Sequence, residues 1–274
     1  MCRLIGFISD KPQTLSQTTG LAPLERLATW NPHGWGIAAT TPAGGWSVAK
    51  APTSAASDGR FPAEVRTRSG QIVIAHLRLA SMGAVKMENT HPFRSGRWTF
   101  AHNGTIHGVE RLSALAPGPH GTTDSEAWFH HLLGRLRGVR CDQDVDYHVF
   151  RAVADTERFC RVSGLNFLLS NGRTLWAHRL GYGLCMLDTR TADAKDGAVI
   201  FASEPLSAEP WREIGQNTLV RVNPGPDGRM LITRYSTATK PPVHRPTQAS
   251  WRSSWARKPL GQSRFEWDGA EGGE

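Results

Sequence analysis

MCRLIGFIS, residues 1–9, opens the chain, and its reading decides the architecture. Leu4, Gly6 and Ile8 alternate with Ile5 and Phe7, so both faces of the implied strand are apolar. A half-exposed strand alternates apolar with polar residues; one that is apolar on both sides calls for a packed layer above and another below. Cys2 then sits at the tip of an interior strand. Initiator methionine is removed when the second residue is small, so the mature chain can begin at Cys2, with thiol and free α-amine on one residue. A chance cysteine near the start is the alternative that position alone leaves open.

Further along, QIVIAHLRL at 71–79 is a second strand, with Ile72, Ile74, His76 and Arg78 on one face and Val73, Ala75, Leu77 and Leu79 on the other. WTFAHNG at 98–104 reads as a strand ending in an Asn-Gly turn. TTDSE then offers a capping box, with Thr123 at the cap and Glu126 three residues on, and Trp128, Leu132, Leu133 and Leu136 make an apolar stripe. A second amphipathic segment spans about 144–159, with Val145, Val149 and Val153 in register. NFLLS and RTLWAHR flank Asn171-Gly172, the dipeptide favoured by two-residue hairpins. Strand-like runs continue at GLCML, AVIFAS, TLVRV and MLITRY. Strands, then helices, then strands without βα alternation indicate an α+β fold with largely antiparallel sheets, stacked face to face with helices outside.

The 274 residues are ample for a large core. No apolar run approaches the ~20 residues that span a bilayer, and the N-terminus lacks the apolar core of a secretory signal, which gives the expectation of a cytoplasmic protein with no membrane partner. Cys2, Cys141, Cys160 and Cys185 are scattered without a CxxC pair, so neither a disulfide frame nor a metal site is expected. Lys and Arg number 32 against 24 Asp and Glu, a formal charge of +8, yet no block concentrates it and no nucleic-acid partner is expected. From Thr237 the composition turns to Pro, Ser, Gly and charge. The expected division is therefore a domain over 1–236 and a disordered tail over 237–274, with Trp251, Trp255 and Trp267 as a docking segment or a surface cap.

Several residues stand out chemically. Arg78 lies among apolar neighbours, and a buried guanidinium calls for an anionic partner, either a structural carboxylate or a substrate carboxylate held in a fork. His76 reads as a satisfied core histidine rather than a base. Asn103 and Gly104 can pair an amide with a backbone N–H as an oxyanion hole, or can be an ordinary turn. Asp124 in a first helical turn is a cap, or an anchor for a substrate ammonium complementing Arg78. HGWGI at 33–37 and HPF at 91–93 are pocket walls or packing.

Taken in order, MC, HGWGI, AHLRLAS, NTHPF, FAHNG and TTDSE make the chain resemble the class II glutamine amidotransferases, a family of N-terminal-nucleophile hydrolases, over roughly residues 2–235. The resemblance extends to stand-alone members, the YafJ-type proteins and the γ-glutamyl hydrolases of ergothioneine biosynthesis, which SEP at 203–205 and Trp211 also match. It implies a four-layer αββα sandwich with Cys2 as nucleophile after loss of Met1, Asn103 and Gly104 as the oxyanion hole, Arg78 on the substrate α-carboxylate with Ser81 assisting, and Asp124 on the α-ammonium. His91 matches a histidine lining the family's pocket. No cofactor is implied. His33 stands where many members have an aspartate, and the stretch between Lys11 and Asn31 is short, which bears on the loop that closes over substrate.

The chemistry is self-consistent: an α-amine of pKa ~7.7–8.0 on the same residue as a thiol of pKa ~8.5 supplies the base. The substrate is expected to be glutamine or a γ-glutamyl compound. About forty residues follow the last strand, too few for an ammonia-accepting domain, so a separate ammonia-accepting protein or plain hydrolysis is expected. A non-catalytic ligand-binding protein on the same fold, a nucleic-acid binder using its tail, and an acylase for other amides are the competing readings. The Arg78 and Asp124 pair argues against the last.

Overall fold

The double-sided apolar strand at the N-terminus is β1 (Arg3–Thr14), and it divides its side chains between two cores. Ile5 and Phe7 pack on one side with Leu15, Leu27 and Val65; Leu4 and Ile8 pack on the other with Ile74, Leu168 and Phe201. In this computed structural model the described residues are 1–112, 118–190, 197–226 and 229–238. The expected tail lies outside them apart from Thr237 and Ala238, as do its three tryptophans. Thr237 is buried and still tied to the domain, its N–H donating to the Asn217 carbonyl.

One sheet contains β1, β2 (Trp35–Thr40), β3 (Trp46–Ala51), β4 (Ser69–Leu77), β9 (Cys185–Asp188), β10 (Ala198–Ala202) and β11 (Arg212–Glu213). The other contains β5 (Phe93–Ser95), β6 (Trp98–His107), β7 (Arg161–Ser170), β8 (Leu175–Arg179), β12 (Thr218–Pro224) and β13 (Met230–Ser236). Their orders are β11-β9-β10-β1-β4-β2-β3 and β13-β12-β8-β7-β6-β5, and the described pairings are antiparallel throughout. The core holding Leu4 and Ile8 lies between the sheets, where Ile72, Ile74 and Phe201 of the first meet Ala101, Leu168 and Val220 of the second.

Helices cover both outer faces. Against the first sheet lie α1 (Leu15–Thr19), α2 (Ala22–Trp30) and α3 (Arg60–Thr67), contributing Leu15, Leu24, Leu27, Phe61 and Val65. Against the second lie α4 (Asp124–Arg135) and α5 (Asp142–Phe159), whose Trp128, Phe129, Leu132, Val145, Val149 and Val153 meet Phe100, Phe167 and Trp176. The result is the expected four-layer αββα sandwich. Its buried tryptophans keep their polar edge satisfied. Trp128 Nε1–H donates to Thr156 Oγ1 at 2.7 Å, and Trp176 Nε1–H donates to Asp146 Oδ1 at 2.7 Å.

Three local expectations are corrected. The strand from Trp98 does not stop at Asn103-Gly104: β6 runs on to His107, with Asn103 opposite Asn166 and Gly104 opposite Leu165. Glycine is needed there for close approach rather than for a turn, since a Cβ on Gly104 would collide with the Gly164 carbonyl oxygen. At Thr123 half of the capping box forms. Its hydroxyl accepts the Glu126 N–H at 3.2 Å, but the Glu126 carboxylate accepts from the His120 and Gly121 amides of the preceding loop. The β7–β8 connection is longer than a two-residue hairpin, because the Asn171 side chain caps Arg173 and Thr174 by accepting both N–H groups.

Candidate active site

The site lies where the start of β1 meets the end of β4. Register pairing sets Arg3 opposite Leu77, so Cys2 falls beside the chain that continues past Arg78. The Cys2 thiol donates to the Leu79 carbonyl and accepts the Leu79 N–H, both at 3.3 Å. Burial pushes this thiol above its ordinary pKa, while the Leu79 N–H, the positive N-terminus and the Arg78 guanidinium pull it down and the Asp124 carboxylate raises it. Arg78 and Asp124 therefore both act on the sulfur electrostatically, with opposite sign. A thiol held protonated by burial needs a base before it can attack.

Arg78 is almost wholly buried, and its partners differ from those expected. Its guanidinium donates to the carbonyls of Met82 at 2.9 Å, Gly83 at 3.0 Å and Ala84 at 3.2 Å. Among the described residues no ion pair includes it. Neutral carbonyls satisfy donors without cancelling the charge, so a structural carboxylate is not what this cation serves. Burial lowers its pKa, opposed by Cys2 and Asp124. Ser81, in the loop that wraps Arg78, is exposed and shares a 3.0 Å hydrogen bond with Thr105 of β6.

Asp124 is buried at the start of α4, and its Oδ2 accepts the Ile106 N–H at 2.6 Å. The register of β6 and β7 shifts between Thr105 and Ile106, where β7 carries Ser163 as an extra residue, and it is at this irregularity that the Ile106 amide meets the carboxylate. Asp124 also lines a cavity of about 320 Å³ together with Met82, Ile106, His107 and Thr123. Asn103 is buried two positions upstream of Thr105, opposite an Asn166 whose amide is fixed by Leu180 N–H and the Tyr182 and Gly183 carbonyls.

Behind these residues lies a layer of buried histidines. His76 Nε2–H donates to the His102 carbonyl at 3.2 Å, and its ring lies 4.3 Å from that of His91. His91, expected at the pocket wall, is only 3% exposed and packs between His76 and Phe93, with no hydrogen-bond partner among the described residues for either ring nitrogen. His102 Nε2 faces the Gly164 carbonyl, so it carries the proton and Nδ1 accepts from Ser125 Oγ at 2.8 Å. His178 Nδ1–H donates to the Leu165 carbonyl, and Nε2 accepts from Thr237 Oγ1. Burial holds all four neutral, His76 with a pKa of about 3 and His178 of about 4.

One residue escaped the sequence reading, and His33, which the sequence singled out, lies beside it. Asn31 is completely buried, and its Nδ2–H donates to the Met1 carbonyl at 2.7 Å. His33 Nδ1 accepts the Ala80 N–H at 3.0 Å, fastening the turn at 31–34 to the Arg78 loop. A polar residue directly before the Pro32-His33 turn was the only signal for Asn31, and nothing in the local pattern marked it as buried.

Residues 1–191 match the family described as glutamine amidotransferases class-II. The putative glutamine amidotransferase YafJ of Escherichia coli is 31% identical over 243 residues, 78% of this chain and 94% of that one. A putative glutamine amidotransferase of Haemophilus influenzae is 36% identical over 111 residues, and the match spans only 38% of its length. The gamma-glutamyl-hercynylcysteine sulfoxide hydrolase of Mycobacterium tuberculosis is 26% identical over 236 residues, 81% of this chain and 93% of that one. In fold, the chain is similar to a solved structure of a predicted glutamine amidotransferase from Pseudomonas aeruginosa, with TM-score 0.58, 24% identity and coverage of 84% and 99%.

Proposed function

The chain belongs to the class-II glutamine amidotransferases, and from that premise we propose that it hydrolyses the γ-amide of glutamine or a γ-glutamyl compound with Cys2 as its N-terminal nucleophile. The observation that carries this reading is the position of the Cys2 sulfur, hydrogen-bonded to the backbone beside Arg78 and within the fields of both Arg78 and Asp124. A cation and an anion that both act on one half-buried sulfur suit a zwitterionic glutamyl group: Arg78 takes the α-carboxylate and Asp124 the α-ammonium, with Ser81 at the rim.

Removal of Met1 exposes the α-amine of Cys2, which takes the thiol proton. The thiolate attacks the γ-carbonyl, and Asn103 with Gly104 holds the oxyanion. The amine returns the proton to the leaving nitrogen as the C–N bond breaks, and water then releases glutamate from the thioester. Because Arg78 and Asp124 read only the glutamyl half, the leaving amine is open to variation. Similarity to the mycobacterial hydrolase favours a γ-glutamyl compound larger than glutamine; a separate ammonia-accepting protein is the second outcome for the nitrogen.

The test is intact mass of the purified protein before and after 6-diazo-5-oxo-norleucine, followed by a panel of γ-glutamyl amides. Loss of Met1, a single adduct on Cys2 and released glutamate are expected. Retention of Met1 with no adduct refutes the mechanism. A labelled protein that turns over no γ-glutamyl amide supports instead a ligand-binding role on the same fold.

A further inference from the structure

Asn31 has an amide whose two ends are in different states. Its Nδ2 donates to the Met1 carbonyl at 2.7 Å, while its Oδ1 is buried and has no hydrogen-bond partner among the described residues. The assignment of the two ends is forced, because a carbonyl can only accept. Leaving a buried amide oxygen unpaired is costly, and a fully buried asparagine beside the initiator is a poor way to hold a residue that processing takes away.

Resting on the proposed mechanism, we propose that Asn31 is the positioning residue for the α-amine of Cys2 in the mature protein. The carbonyl it grips is bonded directly to the Cys2 nitrogen. When Met1 leaves, that carbonyl is gone and the new amine is the adjacent polar group. The neutral amine has a lone pair that accepts from Nδ2–H. After the thiol proton has moved from sulfur to nitrogen, with its bonding pair left on sulfur, the ammonium has no lone pair and donates to Oδ1. One side chain with a donor and an acceptor thus matches both states of the base.

Charged groups approach this position along its own strand and from across the site. Arg3, on the same strand, donates from NH1 to the same Met1 carbonyl at 3.0 Å, and its Nε lies 3.2 Å from Glu204. Arg78 and Asp124 act on the Cys2 sulfur across the site. Asn31 is the neutral member of this set, and replacing it by aspartate adds a negative charge where the amine must lose its proton.

The experiment compares wild type, Asn31→Asp and Asn31→Ala, each checked by intact mass for loss of Met1 and by thermal melting for folding. It uses γ-glutamyl amide turnover and the pH dependence of Cys2 alkylation. Asn31→Asp, which keeps shape, is expected to raise the apparent pKa of the acidic limb of kcat/KM, and of the alkylation profile, by about one unit, as a close opposite charge does to an ammonium. Asn31→Ala is expected to lower kcat up to about 100-fold with KM little changed, as misplacing a catalytic group by about 1 Å does. Wild-type profiles in a processed, active Asn31→Asp protein overturn the inference while leaving the mechanism standing. An unprocessed or inactive wild type overturns the mechanism beneath both. If Asn31→Ala does not fold, the Asn31→Asp profile decides alone. If Asn31→Asp does not fold either, the role is structural and the inference fails.

Discussion

Acidification from pH 7 to pH 5 should destabilise this protein through the histidines behind the active site. His76 and His178 are fully buried, with pKa values of about 3 and about 4. In the unfolded chain each titrates near 6.5. Between those values the unfolded state binds more protons, so stability is present above pH 6.5 and is lost as pH falls. By pH 5 each histidine costs about 2 kcal/mol relative to pH 7. Asp146 works against this. Burial raises its carboxyl to about 6 despite the Trp176 N–H and the Arg221 ion pair. A carboxyl raised in the folded state is stabilising at low pH, and over the same interval it returns about 1 kcal/mol. The net loss is about 2 to 3 kcal/mol, and His91 and His102, also lowered by burial, add to it with the same sign. Denaturant melts at pH 7, 6 and 5 read it directly as a falling midpoint at constant slope. His178→Gln should remove about 2 kcal/mol of the pH-dependent part, whatever it does to stability at pH 7. A midpoint that stays level or rises toward pH 5 would refute the reasoning.

Other outcomes follow from the site. Asn103→Ala is expected to lower kcat by 10²–10³, as loss of one oxyanion donor typically does, with KM near wild type in steady-state assays; a large rise in KM at normal kcat counts against the role. Arg78→Lys should raise KM about tenfold or more, because a lysine cannot form the fork that holds a carboxylate, and Asp124→Asn should do likewise through the ammonium. Gly104→Ala forces a methyl onto the Gly164 carbonyl and should cost about 1–3 kcal/mol or more, visible as a lower melting temperature. Cys2→Ala should melt as wild type does and take up no diazo-ketone, which intact mass will show.

Much of the fold was legible because its signals are periodic. Strand 71–77 reads as a short apolar run buried on both faces, and the α4 stripe at Trp128 and Leu132 carries the helical period. What periodicity does not carry is where a strand stops. Asn103-Gly104 has the composition of a turn, but β7 offered a complete ladder opposite it, and the absent Cβ served the contact with Gly164. Glu126 likewise had the right spacing for a capping box, and loop amides that local sequence does not reveal outcompeted the cap. At the site, Cys2, Arg78 and Asp124 each admitted a plain structural reading on their own, and it was the order of motifs along the chain that singled them out as candidates. Asn31 was not singled out, since an asparagine before a proline looks like any surface turn until the fold buries it.

The central position of β1 has a consequence for insertion and deletion. With β10 on one side and β4 on the other, and a different core on each face, a one-residue shift would exchange Ile5 and Phe7 for Leu4 and Ile8 in every contact and would turn each side chain to the opposite face. The strand therefore works as a ruler laid from the middle of the protein to its first reactive atom. One residue inserted between Cys2 and Arg3 should leave the sandwich intact while delivering the thiol off target, whereas the same insertion between Ile5 and Gly6 should be tolerated by neither core.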